Sequence, residues 1–297
     1  MELPVVNHPD YVAKIGEDNK FPINKFNELA QFLIKKKIVK KFHKPKPCSF
    51  DTLKKTHSEK YIRSINNKSL DKKSIKKIGF PLIDSVIRRS YVATGGTVLA
   101  SKLALHYGIA CNTAGGSHHA NFNEGAGYCI FNDVAVAAKY LLSRGLANKI
   151  LILDLDVHQG NGNSEIFKDN KNVFTFSMHA KSNYPAKKSI SDLDIELKDN
   201  MEDKEYIEIL KFHLNNINKE NFDYLFYIAG VDIHFNDRLG KLKISDEGIY
   251  MRDQIVIDSF VSKKTPICGV LGGGYNKDLK KLVELHSSLH KTCAKYI

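Results

Sequence analysis

From about Ser90 onward, short apolar runs rich in β-branched and aromatic residues alternate with longer segments whose apolar positions recur at helical spacing. The short runs predict strands over His106 to Cys111, Lys149 to Asp154, Asn172 to Ser177, Tyr224 to Ala229 and Pro266 to Leu271. The longer segments predict helices over Ile23 to Ile38, Leu82 to Leu105, Asp133 to Ser143, Asp203 to Asn216, Asp246 to Val261 and Asp278 to Leu289. Several boundaries have chemical support. Asn132 can accept an orphan amide proton ahead of Asp133, Ser245 can do so ahead of Asp246, and Gly145 suits a left-handed turn beyond Ser143. This alternation predicts an α/β fold with a mostly parallel sheet covered on both faces.

Polar residues gather where these strands end. His118 and His119 lie shortly after the first strand, Asp154, Asp156 and His158 at the end of the second, and Ser177 and His179 at the end of the third. Asp232 and His234 follow the fourth, and Gly272-Gly273-Gly274-Tyr275 follows the fifth. Ligands of open parallel sheets bind beyond the carboxyl ends of the strands, so these clusters are expected to converge on one side.

Composition narrows the class. With 297 residues, 42% of them hydrophobic and 26% charged, the chain has ample material for a core, and a single domain over 1–297 is the economical expectation. Only His43-Lys44-Pro45-Lys46-Pro47 reads as a linker, and it is short. There is no apolar run of roughly 18 residues and no secretory signal, which points to a cytoplasmic protein with no membrane partner. Five cysteines without a C-x-x-C pair argue against a disulfide framework or a Cys-rich zinc module, so reduced, mostly buried thiols are expected. Residues 1–90 hold 21 of the 45 Lys+Arg and 9 of the 33 Asp+Glu, so they carry the whole net charge of +12. Such a field could draw nucleic acid, but the excess is lysine with little aromatic interleaving, and a solvated surface is the preferred reading.

The chemistry is densest in Leu153-Asp154-Leu155-Asp156-Val157-His158-Gln159-Gly160-Asn161-Gly162. If the strand continues through this segment, Asp154, Asp156 and His158 share one face. Two carboxylates held together at low dielectric call for a compensating cation, and one imidazole with carboxylates suits Zn²⁺ or Fe²⁺ in a site with an open position. The alternative is one capping aspartate and a hydrogen-bonded structural histidine. Asp232 joins this group by topology alone, because a strand-end aspartate otherwise serves a turn. His118 and His119 read as metal ligands, as a base with its electrostatic partner, or as ordinary loop histidines. The Gly272–Tyr275 run lacks both the Lys-Ser/Thr of a P-loop and the spacing of a dinucleotide fingerprint. Tyr275 therefore reads as a donor to a developing oxyanion or as a packing residue.

Further motifs complete the set in one order: Thr56-His57-Ser58-Glu59-Lys60-Tyr61-Ile62, Ala93-Thr94-Gly95-Gly96-Thr97, Gly115-Gly116-Ser117-His118-His119, Gly127-Tyr128-Cys129-Ile130-Phe131-Asn132-Asp133, Gly230-Val231-Asp232, Asp237-Arg238-Leu239-Gly240 and Gly273-Gly274-Tyr275. With the segment from Asp154 to Gly162, they resemble the zinc-dependent histone deacetylase family, which also contains bacterial acetoin-utilisation proteins and acetylpolyamine amidohydrolases. Phe21-Pro22-Ile23-Asn24-Lys25 looks most like its class IV branch and bacterial relatives. The resemblance implies the three-layer arginase/deacetylase fold, with a central parallel sheet of about eight strands. It assigns Asp156, His158 and Asp232 to Zn²⁺, though the same ligands accept Fe²⁺. It makes His119 the general base and acid, with His118 beside it oriented by Asp154, and Tyr275 the oxyanion donor. Asn161 stands where many members carry an aspartate beside the second histidine, so His119 is expected to be less basic than it would be next to a carboxylate. Two classes of the family carry Asn there, so this departure does not imply inactivity.

The resemblance also implies a substrate channel lined by Tyr128, Gly127 and Gly273, with Tyr184 as the opposite wall and Leu239 at a gatekeeper position that is acidic in polyamine-specific relatives. A structural K⁺ is implied near Asp154, Asp156, His158 and Ser177, mostly through backbone carbonyls. The implied reaction is hydrolysis of the amide of N-acyl-lysine, acetyl or longer, in a protein or peptide. Acetylpolyamines or other small acylated amines are the alternative substrates, and an inactive acyl-lysine-binding protein is the alternative class.

Overall fold

The computed structural model describes residues 2–16, 19–217 and 219–297. Its strands are β1 (Val5–Val6), β2 (Ile109–Asn112), β3 (Ile150–Asp154), β4 (Val173–Ala180), β5 (Leu193–Leu197), β6 (Tyr224–Ile228) and β7 (Ile267–Val270). They form one seven-stranded sheet in the order β1-β2-β7-β6-β3-β4-β5, with every neighbouring pair parallel. The helices are α1 (Lys25–Lys35), α2 (Phe50–Leu53), α3 (Glu59–Asn66), α4 (Lys72–Ile78), α5 (Asp84–Tyr107), α6 (Asp133–Ser143), α7 (Asn161–Phe167), α8 (Asp203–Ile217), α9 (Asp246–Val261) and α10 (Leu279–Cys293).

The two-residue period of the strands sends alternate side chains to opposite layers. Ile150, Ile152, Tyr224 and Phe226 pack with Val134 and Leu141 of α6 and with the alanines of α5. Leu151, Leu153, Leu225 and Tyr227 face the other way, toward α8, α9 and α10. Helices thus cover both faces, giving the three-layer α/β arrangement expected. Capping follows the sequence: Asn132 accepts from the Ala135 N–H, Ser245 accepts from the Gly248 N–H, and Gly145 adopts φ 63°.

Several boundaries differ from expectation. His106 and Tyr107 belong to α5, because the left-handed Gly108 ends the helix before β2 can start. Lys37, also left-handed, stops α1 short of Ile38. The sheet has seven strands among the described residues where about eight were expected for a layered fold of this kind. Two of the seven, β1 and β5, carried no predicted strand. The stretch from His43 to Pro47 is no linker: His43 bonds to both Val5 and Asn7 through its backbone. Lys46 passes so close to α5 that a Cβ on Gly95 would lie 2.0 Å from its carbonyl oxygen, which accounts for one glycine of the Gly95-Gly96 pair. No described helix is long and apolar enough to cross a membrane. All five cysteines are free and buried.

Candidate active site

The carboxyl ends of β2, β3, β4, β6 and β7 deliver the expected clusters to one region, with two exceptions. His234 turns away to contact Asp246 at 3.0 Å, and His179 faces Ser177 at 3.0 Å, so neither joins the centre. Strand β3 ends at Asp154, so Asp154, Asp156 and His158 do not share a strand face as the alternation suggested. Beyond Leu155 the chain bends, and the bend aims Asp156 and His158 at the end of β6. It is fixed by the Val157 N–H donating to Asp232 Oδ1 at 3.0 Å and the His158 N–H donating to Asp156 Oδ1 at 2.9 Å. Buried Arg252 of α9 donates to the Gly230 carbonyl, two residues before Asp232.

Asp156, His158 and Asp232 each offer a ligand atom within 4.8 Å of the others, and all three are buried. His158 Nδ1 lies 3.1 Å from Asp156 Oδ1 and 3.1 Å from Asp232 Oδ2. Burial and the neighbouring Asp156 push the Asp232 carboxyl up to about 7. Burial opposes the charge on His158, but the two carboxylates outweigh it and push that imidazole up to about 10. The group demands positive charge, and its mixed nitrogen and oxygen donors fit a divalent cation such as Zn²⁺. Gly273 completes the wall: its N–H donates to Asp156 Oδ2 at 2.5 Å, and a Cβ there would lie 1.9 Å from Asp232 Oδ2. Only glycine permits that approach.

The tandem histidines stand beside this centre, with ring centroids 4.1 Å apart. His118 Nδ1 is 2.7 Å from Asp154 Oδ2. Burial lowers its basicity, but Asp154 and Asp156 more than compensate, to about 9. His119 is held well below the usual histidine range by burial and by the positive charges of His118 and His158. Its Nδ1 lies 2.6 Å from Asn161 Oδ1, an oxygen that can only accept, so Nδ1 carries the hydrogen and Nε2 is left with a free lone pair. His119 packs edge-on to Tyr184 at 4.8 Å and is 5.9 Å from His158.

Tyr275 is buried 6.4 Å from the His158 ring, and its hydroxyl has no hydrogen-bond partner among the described residues. Burial and the facing Asp232 and Asp156 keep it a phenol. Tyr128 lies 5.9 Å from Tyr275 and packs on Phe21 and Phe80, each at 5.2 Å. Leu239 reaches the Tyr184 loop through its carbonyl, which accepts from Asn183 Nδ2 at 2.7 Å. Ser177 pairs in register with Asp154, and its Oγ accepts from the Gly160 N–H at 3.3 Å. A cavity of about 30 Å³ lies beside the tandem histidines, bounded also by Phe21, Arg89, Gly115, Tyr128 and Tyr275.

Four supporting residues escaped the sequence reading. Lys25 is fully buried at the start of α1, and its Nζ donates to the carbonyls of Gly272 at 3.3 Å and Gly274 at 3.4 Å. Asp237 and Arg238 bond to the backbone of Tyr275. His57 bonds to Asn121 and Asn132, at the two ends of the segment that carries Tyr128. All four lie in segments quoted above, where no spacing rule gave them a role.

The sequence model of the histone deacetylase domain matches residues 20–289. The chain belongs to the histone deacetylase family. This deacetylase is 42% identical to an uncharacterized protein of Picosynechococcus sp. over 294 residues, covering 98% of both chains. It is 31% identical to histone deacetylase 2 of Arabidopsis thaliana over 288 residues, covering 93% of this chain and 72% of the relative. Among solved structures, an HDAC homologue complexed with SAHA superposes with a TM-score of 0.84 at 23% identity, covering 98% of this chain and 84% of the other. That likeness shows the arginase/deacetylase fold. With the family established, the deacetylase is a metal-dependent amidohydrolase.

Proposed function

We propose that this deacetylase hydrolyses the amide of N-acetyl-lysine in a peptide or protein. The observation that carries the reading is the set around the three-donor group: His119 with Nδ1 engaged by Asn161 and Nε2 free, His118 engaged by Asp154, and an uncommitted phenol, flanked by Tyr128 and Tyr184. Asp156, His158 and Asp232 would hold the metal. When bound, Zn²⁺ supplies Lewis-acid polarisation of the amide carbonyl and lowers the pKa of water toward about 7.

The chain's own residues do the rest. His119 Nε2 takes the proton of the attacking water and returns it to the leaving amine. His118, kept charged by Asp154, adds positive charge beside the carbonyl carbon as negative charge builds on the oxygen. The Tyr275 hydroxyl donates to that oxygen. Tyr128 and Tyr184 offer flat faces to the methylene stem of a lysine. The cavity of about 30 Å³ beside the tandem histidines has room for a water or two, which favours acetyl over a long alkyl chain. Leu239 offers no carboxylate to a second ammonium, which favours lysine over a polyamine.

The test is a matched panel of acetyl-lysine peptide, long-chain acyl-lysine peptide and acetylpolyamine, assayed with the zinc-loaded protein. The expected result is kcat/KM for the acetyl-lysine peptide at least about tenfold above the others, the discrimination available from pocket contacts. Preference for acetylpolyamine or for the long chain overturns the substrate assignment.

A further inference from the structure

Tyr275 follows three glycines, of which Gly272 and Gly274 take φ of 78° and 156°. Such a run has the greatest backbone freedom a chain can have, and among the described residues no hydrogen bond tethers the phenol. The position of its hydroxyl is therefore set by the packing of its ring on Phe21, Tyr128 and His158 and by the backbone, whose partners divide into two sets. The glycines are tied to the centre: the Gly273 N–H to Asp156, the Gly273 carbonyl to the Val231 N–H at 2.8 Å, and the Gly272 and Gly274 carbonyls to Lys25. Tyr275 is tied elsewhere, to one dipeptide. Asp237 Oδ2 accepts its N–H at 2.6 Å, and Arg238 Nε donates to its carbonyl at 2.6 Å.

Both partners are themselves fixed. Asp237 Oδ1 accepts from the N–H groups of Leu239 at 2.8 Å and Gly240 at 3.0 Å, so the carboxylate cannot swing. Arg238 Nη2 donates to the Lys20 carbonyl at 2.7 Å, joining Tyr275 to the segment that supplies Phe21, whose ring lies 6.1 Å from the Tyr275 ring. Each bond to Tyr275 has an ionised partner, the stronger class of hydrogen bond. Adjacent residues of opposite charge thus grip both polar atoms of one peptide residue.

We propose that Asp237 and Arg238 are positioning residues for Tyr275, setting where its hydroxyl meets the substrate carbonyl; this rests on the function proposed above. If the bonds merely stabilised the loop, their loss would lower stability and leave turnover by the folded protein unchanged. If they position the phenol, their loss lowers turnover, and only while Tyr275 has a hydroxyl to misplace.

The experiment is a double-mutant cycle with zinc-loaded protein. Arg238→Met is expected to lower kcat on acetyl-lysine peptide 10- to 100-fold, the scale of a misplacement of about 1 Å, with KM within about twofold. Arg238→Lys, which keeps one donor, recovers part of the loss. In a Tyr275→Phe background the same substitutions change the residual rate by less than about twofold. Hydrogen exchange at the Tyr275 amide is followed alongside and is expected to accelerate in Asp237→Asn while zinc affinity, read by chelator competition, stays within about twofold. Equal losses in both backgrounds, or unchanged kcat in Arg238→Met, overturn the proposal. Absence of wild-type turnover on every acyl amine overturns the proposed function instead. The exchange rate then decides the clamp alone, an unaltered rate in Asp237→Asn refuting it.

Discussion

His118 and His119 are sequence neighbours with almost the same burial, yet their charged surroundings push their basicities in opposite directions. Burial opposes charge on both, but the Asp154 carboxylate at 2.7 Å and Asp156 outweigh it at His118, whereas at His119 burial and the charges of His118 and His158 prevail over the weak support of the Asn161 amide at 2.6 Å. Asn161→Asp should therefore make His119 more basic. Since the base must be unprotonated to work, the acid limb of the kcat/KM profile should move to higher pH, by about one unit or more, which a pH–rate series reads directly. Gly273→Ala tests the approach to Asp232. A Cβ 1.9 Å from Oδ2 must displace the carboxylate, and zinc affinity measured against a chelator should fall about 10- to 100-fold. At this scale the sequence carried the reacting groups, because strand-end clusters of Asp, His and Tyr are short-range patterns. It did not carry their supports. Lys25 reaches across 247 and 249 positions to Gly272 and Gly274, a contact no local spacing encodes.

Among the elements, α6 and α9 have the predicted bounds because cap and apolar period agree at their ends. Strand β5 escaped prediction because Leu193-Asp194-Ile195-Glu196-Leu197 is half-exposed at a sheet edge, where polar residues break the apolar run. The strand assumed to run through His158 stops at Asp154 because the chain must bend to bring two carboxylates and an imidazole to one point. One imidazole bonds to both ends of the segment from Asn121 to Asn132. His57 Nδ1 is 2.8 Å from the Asn121 carbonyl, and Nε2 accepts the Asn132 N–H at 2.9 Å, so the ring must be neutral. Burial brings His57 down to about 4. A depressed histidine favours the folded state fully above the unfolded value near 6.5, and that advantage is lost as pH falls toward 4. The loss is about 3 kcal/mol. Unfolding free energies across that window should fall with decreasing pH, and His57→Gln should flatten the slope by about one proton.

For the molecule as a whole, a seven-stranded parallel sheet among the described residues gathers five strand ends onto one edge, where the segments leaving β3 and β6 bring Asp156, His158 and Asp232 together. The repulsion between the two buried carboxylates is a cost to the folded state that a bound cation removes. Zinc at about 1,000 times its Kd should raise the unfolding free energy by about 4 kcal/mol, and Asp232→Asn should abolish most of that gain in a thermal melt. The central claim is that this site hydrolyses an acetyl amide with metal, His119 and Tyr275 acting together. Its most direct test is acetate release from acetyl-lysine peptide as zinc is titrated into metal-free protein, with Tyr275→Phe run in parallel. The account predicts activity that saturates at one zinc per chain, and a variant that binds the same zinc but turns over about 10²- to 10³-fold more slowly. Full activity in the variant, or none in the wild type with one zinc bound, would contradict it.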